Sequence, residues 1–468
     1  MDRRERRGGA QGEGERGGKR VGVVVVVVVG DVVVAAVDVE SRAGDRERGA
    51  GSGGRGAGQW MRAARCDDES DQSPRPSSRP LLDAAYRPSL TAALSKLRSS
   101  KTASRLIVAV ACPVLQGQFR RSKTRSWPEA QSLIAGIYTL LSVISAQLSI
   151  DTEIDGGPGS VDATVVLIDH SRSTRFDQGS RPAIQTNNTI VVDLATFALA
   201  YHPWNYIFHV RSEPGLELYQ TYLKLAEGKQ TLLHEQLVPV EGGLALNVAS
   251  KDPSATPTQT PGQPVVCLGG TFDYLHPGHK LLLTAGALLL EVPEKDSGKS
   301  AEYIIGITGD ELLKNKKFAE LVQPWELRAR NVIVFLARLL QLSDRGWKGG
   351  AGPAIEESDG DFRAAFRNDT IRVQCVRIQD AFGPTITVEK IDALAVSGET
   401  RSGGRAVNDR RVQQGWHELT VFEVDVLDAE EVEDTADGPT RTDNFAAKIS
   451  SSAIRQRKAQ QLKPETKI

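Results

Sequence analysis

Cysteine is scarce in this 468-residue chain: Cys66, Cys112, Cys267 and Cys375 stand far apart, and none belongs to a Cys-x-x-Cys pair. That pattern excludes a zinc ribbon and a disulfide framework and points to a reducing compartment. The Asn187-to-Thr189 triplet therefore reads as ordinary loop. A charge of one sign is also missing. With 58 basic and 59 acidic side chains there is no global field to draw in nucleic acid or a membrane surface, so any anion site must be local. His170, His202, His209 and His234 have no metal-like spacing and read as histidines satisfied by local hydrogen bonds. A P-loop is absent too, because the only Gly-Lys-Ser, Gly298 to Ser300, has Pro293 where the first glycine of that motif belongs.

Long apolar runs are few. The run from Val21 to Val37 is 17 residues long and holds Asp31, which would cost about 2.5–3.5 kcal/mol inside a bilayer. It also lacks the small-residue cleavage site of a signal peptide. Methionine occurs twice, at Met1 and Met61. Residues 1–80 are accordingly expected to be low-complexity, either disordered or partly upstream of a start of synthesis at Met61, and the protein is expected in the cytoplasm.

The remaining sequence, with 40% hydrophobic and 25% charged residues overall, has ordinary globular character. Residues 81–249 alternate strand-like and helix-like runs: Arg105 to Leu115, Trp127 to Leu148, Val161 to His170, and Thr189 to Leu199 as a further strand. They predict a separate N-terminal α/β domain of unassigned role. Residues 250–264 contain four prolines and no large apolar side chain, and read as a linker. Residues 265–460 alternate again, with strands at Val265, Tyr303, Thr370, Asp392 and Glu418 and helices near Pro277, Pro324, Ala406 and Ser452. Two polar stretches, Asp344 to Asp369 and Asp428 to Asn444, read as surface loops. The alternation predicts a Rossmann-like, doubly wound parallel sheet whose ligands bind beyond the carboxyl ends of its strands.

Three clusters fall at such ends. In Val265 to Lys280, VVCLGGTFDYLHPGHK, a buried strand runs into a glycine pair and then a helix start marked by Pro277. The glycines, Gly270 among them, let backbone approach a phosphate, Thr271 offers a hydroxyl, and His276 and His279 can both face a phosphoryl group at a helix N-terminus. Taken alone, the two histidines fit a core or metal role equally well; the full string after a buried strand favours phosphate chemistry. In ITGDELLKNKK, one of Lys314, Lys316 and Lys317 can swing a charge to the same point, although such runs are usually a solvated face. In KISSSAIRQR, Ser450, Ser451 and Ser452 cap a helix and Arg455 lies one turn in. Alone this is simple capping; beside a phosphate site it suggests a polyphosphate cradle.

GGTFDYLHPGHK resembles the HxGH signature of the nucleotidyltransferase superfamily, and KISSSAIR resembles its ISSxxxR-type second motif. Between them, AFGPT (Ala381 to Thr385) and AVSGETRSGGRAVNDRR (Ala395 to Arg411) are similar to the eukaryotic phosphopantetheine adenylyltransferases, with the monofunctional fungal type the better match. The resemblance covers residues 264 to about 460; residues 80–250 resemble the fungal N-terminal extension only loosely. It implies the nucleotidyltransferase fold and adenylyl transfer from ATP to 4′-phosphopantetheine, in coenzyme A synthesis, with Mg²⁺ bound mainly through ATP. It also implies roles. His279, His276 and Lys316 would be catalytic. Gly270, Thr271, Phe272, Glu399 and Arg405 would contact substrate. Gly278, Ser450, Ser451, Ser452 and Arg455 would hold the nucleotide phosphates, and no residue is expected to be a metal ligand. Two alternatives compete: a cytidylyltransferase acting on a phospho-alcohol, and a non-catalytic nucleotide-binding scaffold for other coenzyme A pathway enzymes.

Overall fold

The computed structural model describes residues 23–29, 79–111, 123–154, 156–170, 189–200, 204–228, 232–242, 262–294, 296–342, 353–425, 427 and 450–462. The N-terminal half forms β1 (Val23–Val29), α1 (Arg79–Arg98), β2 (Ser104–Ala111), α2 (Lys123–Gln147), β3 (Val161–Asp169), β4 (Val191–Asp193), α3 (Leu194–Leu199), β5 (Trp204–Val210), α4 (Glu213–Leu225) and β6 (Leu237–Val240). The C-terminal half forms β7 (Val265–Gly270), α5 (Pro277–Leu289), β8 (Ala301–Thr308), α6 (Trp325–Gln341), β9 (Glu356–Ser358), β10 (Asp361–Phe366), β11 (Ile371–Ile378), β12 (Ala393–Ser397), α7 (Arg401–Gln413), β13 (Thr420–Val424) and α8 (Ser451–Gln461).

The first sheet has the order β4-β3-β2-β1-β5-β6, all pairs parallel. Its interior strand β1 is the polyvaline run, paired with Ser104–Val110 on one side and with β5 on the other. The expectation of a structureless segment 1–80 therefore fails at Val23–Val29: a continuous β-branched run is what an interior parallel strand takes. The expected strand Thr189 to Leu199 is also cut short. Asp193 ends β4, and its carboxylate accepts a hydrogen bond from Thr196 N at 2.7 Å, capping α3. His209 makes a local hydrogen bond with the Val210 backbone, as expected, and also stacks on Tyr219 with ring centroids 4.1 Å apart.

The second sheet has the order β13-β12-β7-β8-β11-β10-β9. Its first five strands are parallel, as expected, but β10 pairs antiparallel with both β11 and β9. The sheet is thus mixed, and part of the supposed loop Asp344 to Asp369 is a hairpin. The signal was present in the sequence: the buried Phe362, Ala364 and Phe366 alternate with the exposed Arg363 and Ala365. Residues 428–444 lie outside the described residues.

The two sheets are not separate bodies. One hydrophobic cluster runs from Leu106 and Ile134 through Ala285 to Val266 and Phe335. Helix α2 lies between, packed against α5. Trp127 Nε1 donates to Ala285 O at 2.9 Å, and its ring meets Phe422 edge-on at 5.2 Å. The stretch Ser126–Gln147 is long and apolar enough to cross a membrane, yet most of it is buried within this protein. A helix apolar all round is what a position between two layers requires. The N-terminal half thus has a sheet of its own and packs through α2 on α5 of the C-terminal half.

Candidate active site

Helix α5 carries the chain from β7 towards β8 and β11, whereas β12 and β13 lie on the other side of β7. The sheet reverses direction between β7 and β12, which is where ligands of such sheets bind. The turn Gly270 to His276 sits at the carboxyl end of β7. It holds two residues in left-handed conformation without glycine's freedom, Phe272 (φ 51°) and Tyr274 (φ 45°). Such conformations cost about 1–3 kcal/mol each and persist where surroundings over-determine them. Here they do. Phe272 is fully buried, Tyr274 N donates to Gln323 Oε1 at 2.8 Å, and Tyr274 Oη donates to Leu321 O at 2.7 Å.

His276 is the N-cap of α5, extended at φ −94° and ψ 170°, with Pro277 at the first helical position. Lys280 N donates to His276 O at 3.0 Å, closing the first turn. This brings the His276 and His279 rings into a stack, centroids 3.8 Å apart and 26° from parallel. Both Nδ1 atoms are enclosed and without a hydrogen-bond partner. Gly278 makes room for the stack: a Cβ there would stand 3.2 Å from His276 Cε1 and 3.3 Å from its Nδ1. Burial, reinforced by the Lys280 ammonium, lowers the His276 pKa to about 3. Burial, then His276, holds His279 well below the usual imidazole range. Both rings are therefore neutral at neutral pH, each with one N–H to donate. The rings are half-buried, and their two enclosed, orphaned Nδ1 atoms are the feature of this turn that the protein itself leaves unsatisfied.

The second motif is stitched to the first. Ser450 Oγ caps α8 by accepting from Ala453 N at 3.3 Å, Ser451 Oγ donates to Asp273 O at 2.8 Å, and Ser452 Oγ accepts from Arg455 Nη2 at 3.1 Å. Arg455, expected on phosphates, is instead 2% exposed. It forms a buried ion pair with Asp273 and donates to Lys317 O at 3.0 Å. The lysine turn is thereby tied to the same floor, with Lys314, Lys316 and Lys317 exposed above it. Lys314 pairs with Glu311, and among the described residues Lys316 has no ion-pair partner. Gly270 and Thr271 are half-buried at the end of β7, and Phe272, expected on substrate, lies under the stack with its ring 5.2 Å from His279. Glu399 lies in the turn after β12, and Arg405 is exposed on α7, across the reversal point from the histidines.

Three residues inside or beside the quoted motifs had been given no role. Asp273 is fully buried. Burial pushes its carboxyl up, opposed by the Gln323 N–H at 2.9 Å and by Arg455. Arg328 is fully buried and binds Thr271 O, Thr308 O and Gln323 O, each at 2.8 Å, clasping the carboxyl ends of β7 and β8. Lys280 is buried and pairs with Asp162 at 2.5 Å. A buried charge needs a partner, so an Asp and a Lys inside an otherwise apolar strand–helix string were the available signals. Cys267, in β7 itself, is buried, and its thiol pKa is pushed up to about 12, away from any thiolate chemistry.

Residues 71–246 match the model of a "Domain of unknown function (DUF8446)". A Saccharomyces cerevisiae phosphopantetheine adenylyltransferase is 34% identical over 191 residues, covering 41% of this chain and 47% of that protein. An uncharacterized protein of Schizosaccharomyces pombe is 33% identical over 211 residues, 45% of this chain and 53% of that protein. The chain thus spans about half the length of these two fungal relatives. A phosphopantetheine adenylyltransferase of Pyrococcus abyssi is 30% identical over 190 residues, which cover 41% of this chain and 87% of that protein. A sheet with five parallel strands and a strained, histidine-bearing turn where its strand order reverses defines a Rossmann-like α/β protein. Within that class, this chain belongs to the phosphopantetheine adenylyltransferase family.

Proposed function

We propose that this protein transfers the adenylyl group of ATP to the phosphate of 4′-phosphopantetheine, giving dephospho-coenzyme A and pyrophosphate. The observation that carries the reading is the stack of two neutral, half-buried imidazoles, each with an enclosed and unpartnered Nδ1, where the strand order reverses. A phosphate oxygen of the acceptor forms a bond to the α-phosphorus of ATP. The bond from that phosphorus to the oxygen bridging the β-phosphate breaks, and pyrophosphate leaves with both electrons and that oxygen. Such a step asks for positioning and for charge stabilisation, not for a side-chain nucleophile.

Neutral imidazoles cannot serve as acids here; they donate hydrogen bonds. His279 serves the α-phosphoryl oxygens as charge builds, with His276 beside it. The N-terminus of α8, with Ser450, Ser451 and Ser452 in its opening turn, receives the β- and γ-phosphates. Arg455 supports that terminus from below instead of touching substrate. Thr271 orients the attacking phosphate, Lys316 supplies a cation, and Glu399 and Arg405 are candidates for nucleotide or acceptor contacts. Among the described residues no group of His, Cys, Asp or Glu could hold a metal ion, and Asp273 is committed to Arg455. Magnesium would enter with the nucleotide, as MgATP, since this ion is bound mainly through substrate phosphates and water. Comparing ATP with CTP for pyrophosphate release, with 4′-phosphopantetheine as acceptor, tests this. Release with ATP is expected, and turnover with CTP alone would establish the cytidylyltransferase alternative.

A further inference from the structure

Among the described residues, the connection from α2 to β3 brings the N-terminal half against the first turn of α5 and against α8. Thr152 O accepts from Lys280 Nζ at 3.2 Å, and Asp162, at the start of β3, pairs with the same ammonium at 2.5 Å. Asp162 also pairs with Arg338 of α6. This is a buried junction: the side chains of Lys280, Asp162 and Arg338 are 1%, 4% and 18% exposed. A second contact lies at the rim. Glu153 pairs with Lys458 of α8 at 3.2 Å, and the Lys458 ammonium sits 4.9 Å from the centre of the Tyr274 ring. Asp151 lies 3.7 Å from Arg457 on the same helix.

Both ends of the site are thus held by one short segment. Lys280 directly follows His279 on the first turn of α5, and Lys458 lies two turns along the helix that Ser450 opens. Rim pairs of this exposure are weak alone. A buried carboxylate shared by two cations is different, because its removal leaves both unpaired.

We propose that residues 151–162 are a positioning element for the adenylyl-transfer site. Asp162 fixes Lys280 and with it the imidazole stack, and Glu153 fixes α8 against Tyr274. The N-terminal half, of which residues 71–246 match a domain of unknown function, thereby holds in register the α-phosphate and β,γ-phosphate ends of the site. The inference rests on the adenylyl-transfer reading.

The full-length chain provides the test, with turnover, ATP affinity by calorimetry in Mg²⁺, and melting temperature measured together. Asp162→Asn and Lys280→Met should each lower kcat about tenfold with ATP affinity within about twofold, and the double variant should fall no further than either single one. Should Asp162→Asn fail to fold, Lys280→Met, which leaves the Asp162–Arg338 pair intact, carries the comparison. A purely structural junction would lower the melting temperature and leave kcat at the wild-type value, overturning the inference. A Lys280 that acted on substrate directly would make Lys280→Met far worse than Asp162→Asn, which also overturns it. Glu153→Gln should weaken ATP binding about threefold or more, a measurement that needs no acceptor; unchanged affinity removes the α8 arm. A wild-type chain that binds ATP yet releases no pyrophosphate refutes the acceptor, and the affinity arm then decides the inference by itself.

Discussion

An imidazole enclosed beside a second imidazole and a lysine holds a proton poorly, and this has consequences that a titration can read. His276 takes up its proton near pH 3 in the folded protein, against about 6.5 for an ordinary histidine. Between those values the unfolded chain binds the proton and the folded chain refuses it. This contribution to stability is therefore complete above about pH 6.5 and is lost progressively as the pH falls towards 3, at about 1.4 kcal/mol per pH unit. Asp169 pulls the other way: burial and Asp193 raise its pKa to about 6, so the folded chain keeps a proton there that the unfolded one releases. Urea unfolding of wild type and His276→Asn from pH 7 to 5 isolates the histidine as the difference between them. The wild type should lose more stability than the variant on acidification; equal losses would mean that His276 titrates normally. His279→Ala addresses the chemistry. Turnover should fall about 100-fold or more while ATP affinity changes only a few-fold, because the lost hydrogen bond is strongest as charge builds. A fall confined to affinity would move His279 from transition-state stabilisation to ground-state binding.

Helix α5 owes its use to its first turn, where Gly278 lies under the His276 ring. Gly278→Ala separates packing from helix propensity: alanine favours a helix interior by up to about 1 kcal/mol over glycine, yet its methyl group would push on His276. Melting temperature should hold or rise while kcat falls about tenfold; unchanged kcat would show that the stack tolerates displacement. At this scale the sequence was legible wherever an element carried its own punctuation. Pro277, the glycine pair and the triple serine placed β7, α5 and the start of α8 to within a residue or two. Thr189 to Leu199 misled because its apolar composition continues through Asp193, whose cap splits it into strand and helix. The β9–β10 hairpin hid behind its acidic surface residues, and β1 behind a repetitiveness that resembles low complexity.

Across the whole molecule, what could not be read was pairing between residues far apart in the chain. The Asp162–Lys280 pair spans 118 residues and the Asp273–Arg455 pair 182, and no local pattern announces either. The second motif was correctly placed beside the first, but its arginine was assigned to substrate, when the buried carboxylate of Asp273 competes for it more closely. The apolar length of α2 was a sign of its position, since a helix buried on several sides must lie between layers. The account stands or falls on whether this assembly joins an adenylyl group to a pantetheine phosphate. Mass-spectrometric identification of the product of the purified full-length chain with MgATP and 4′-phosphopantetheine tests that most directly. The account predicts dephospho-coenzyme A in step with pyrophosphate, one for one; pyrophosphate without it, or neither product from protein that binds ATP, would contradict it.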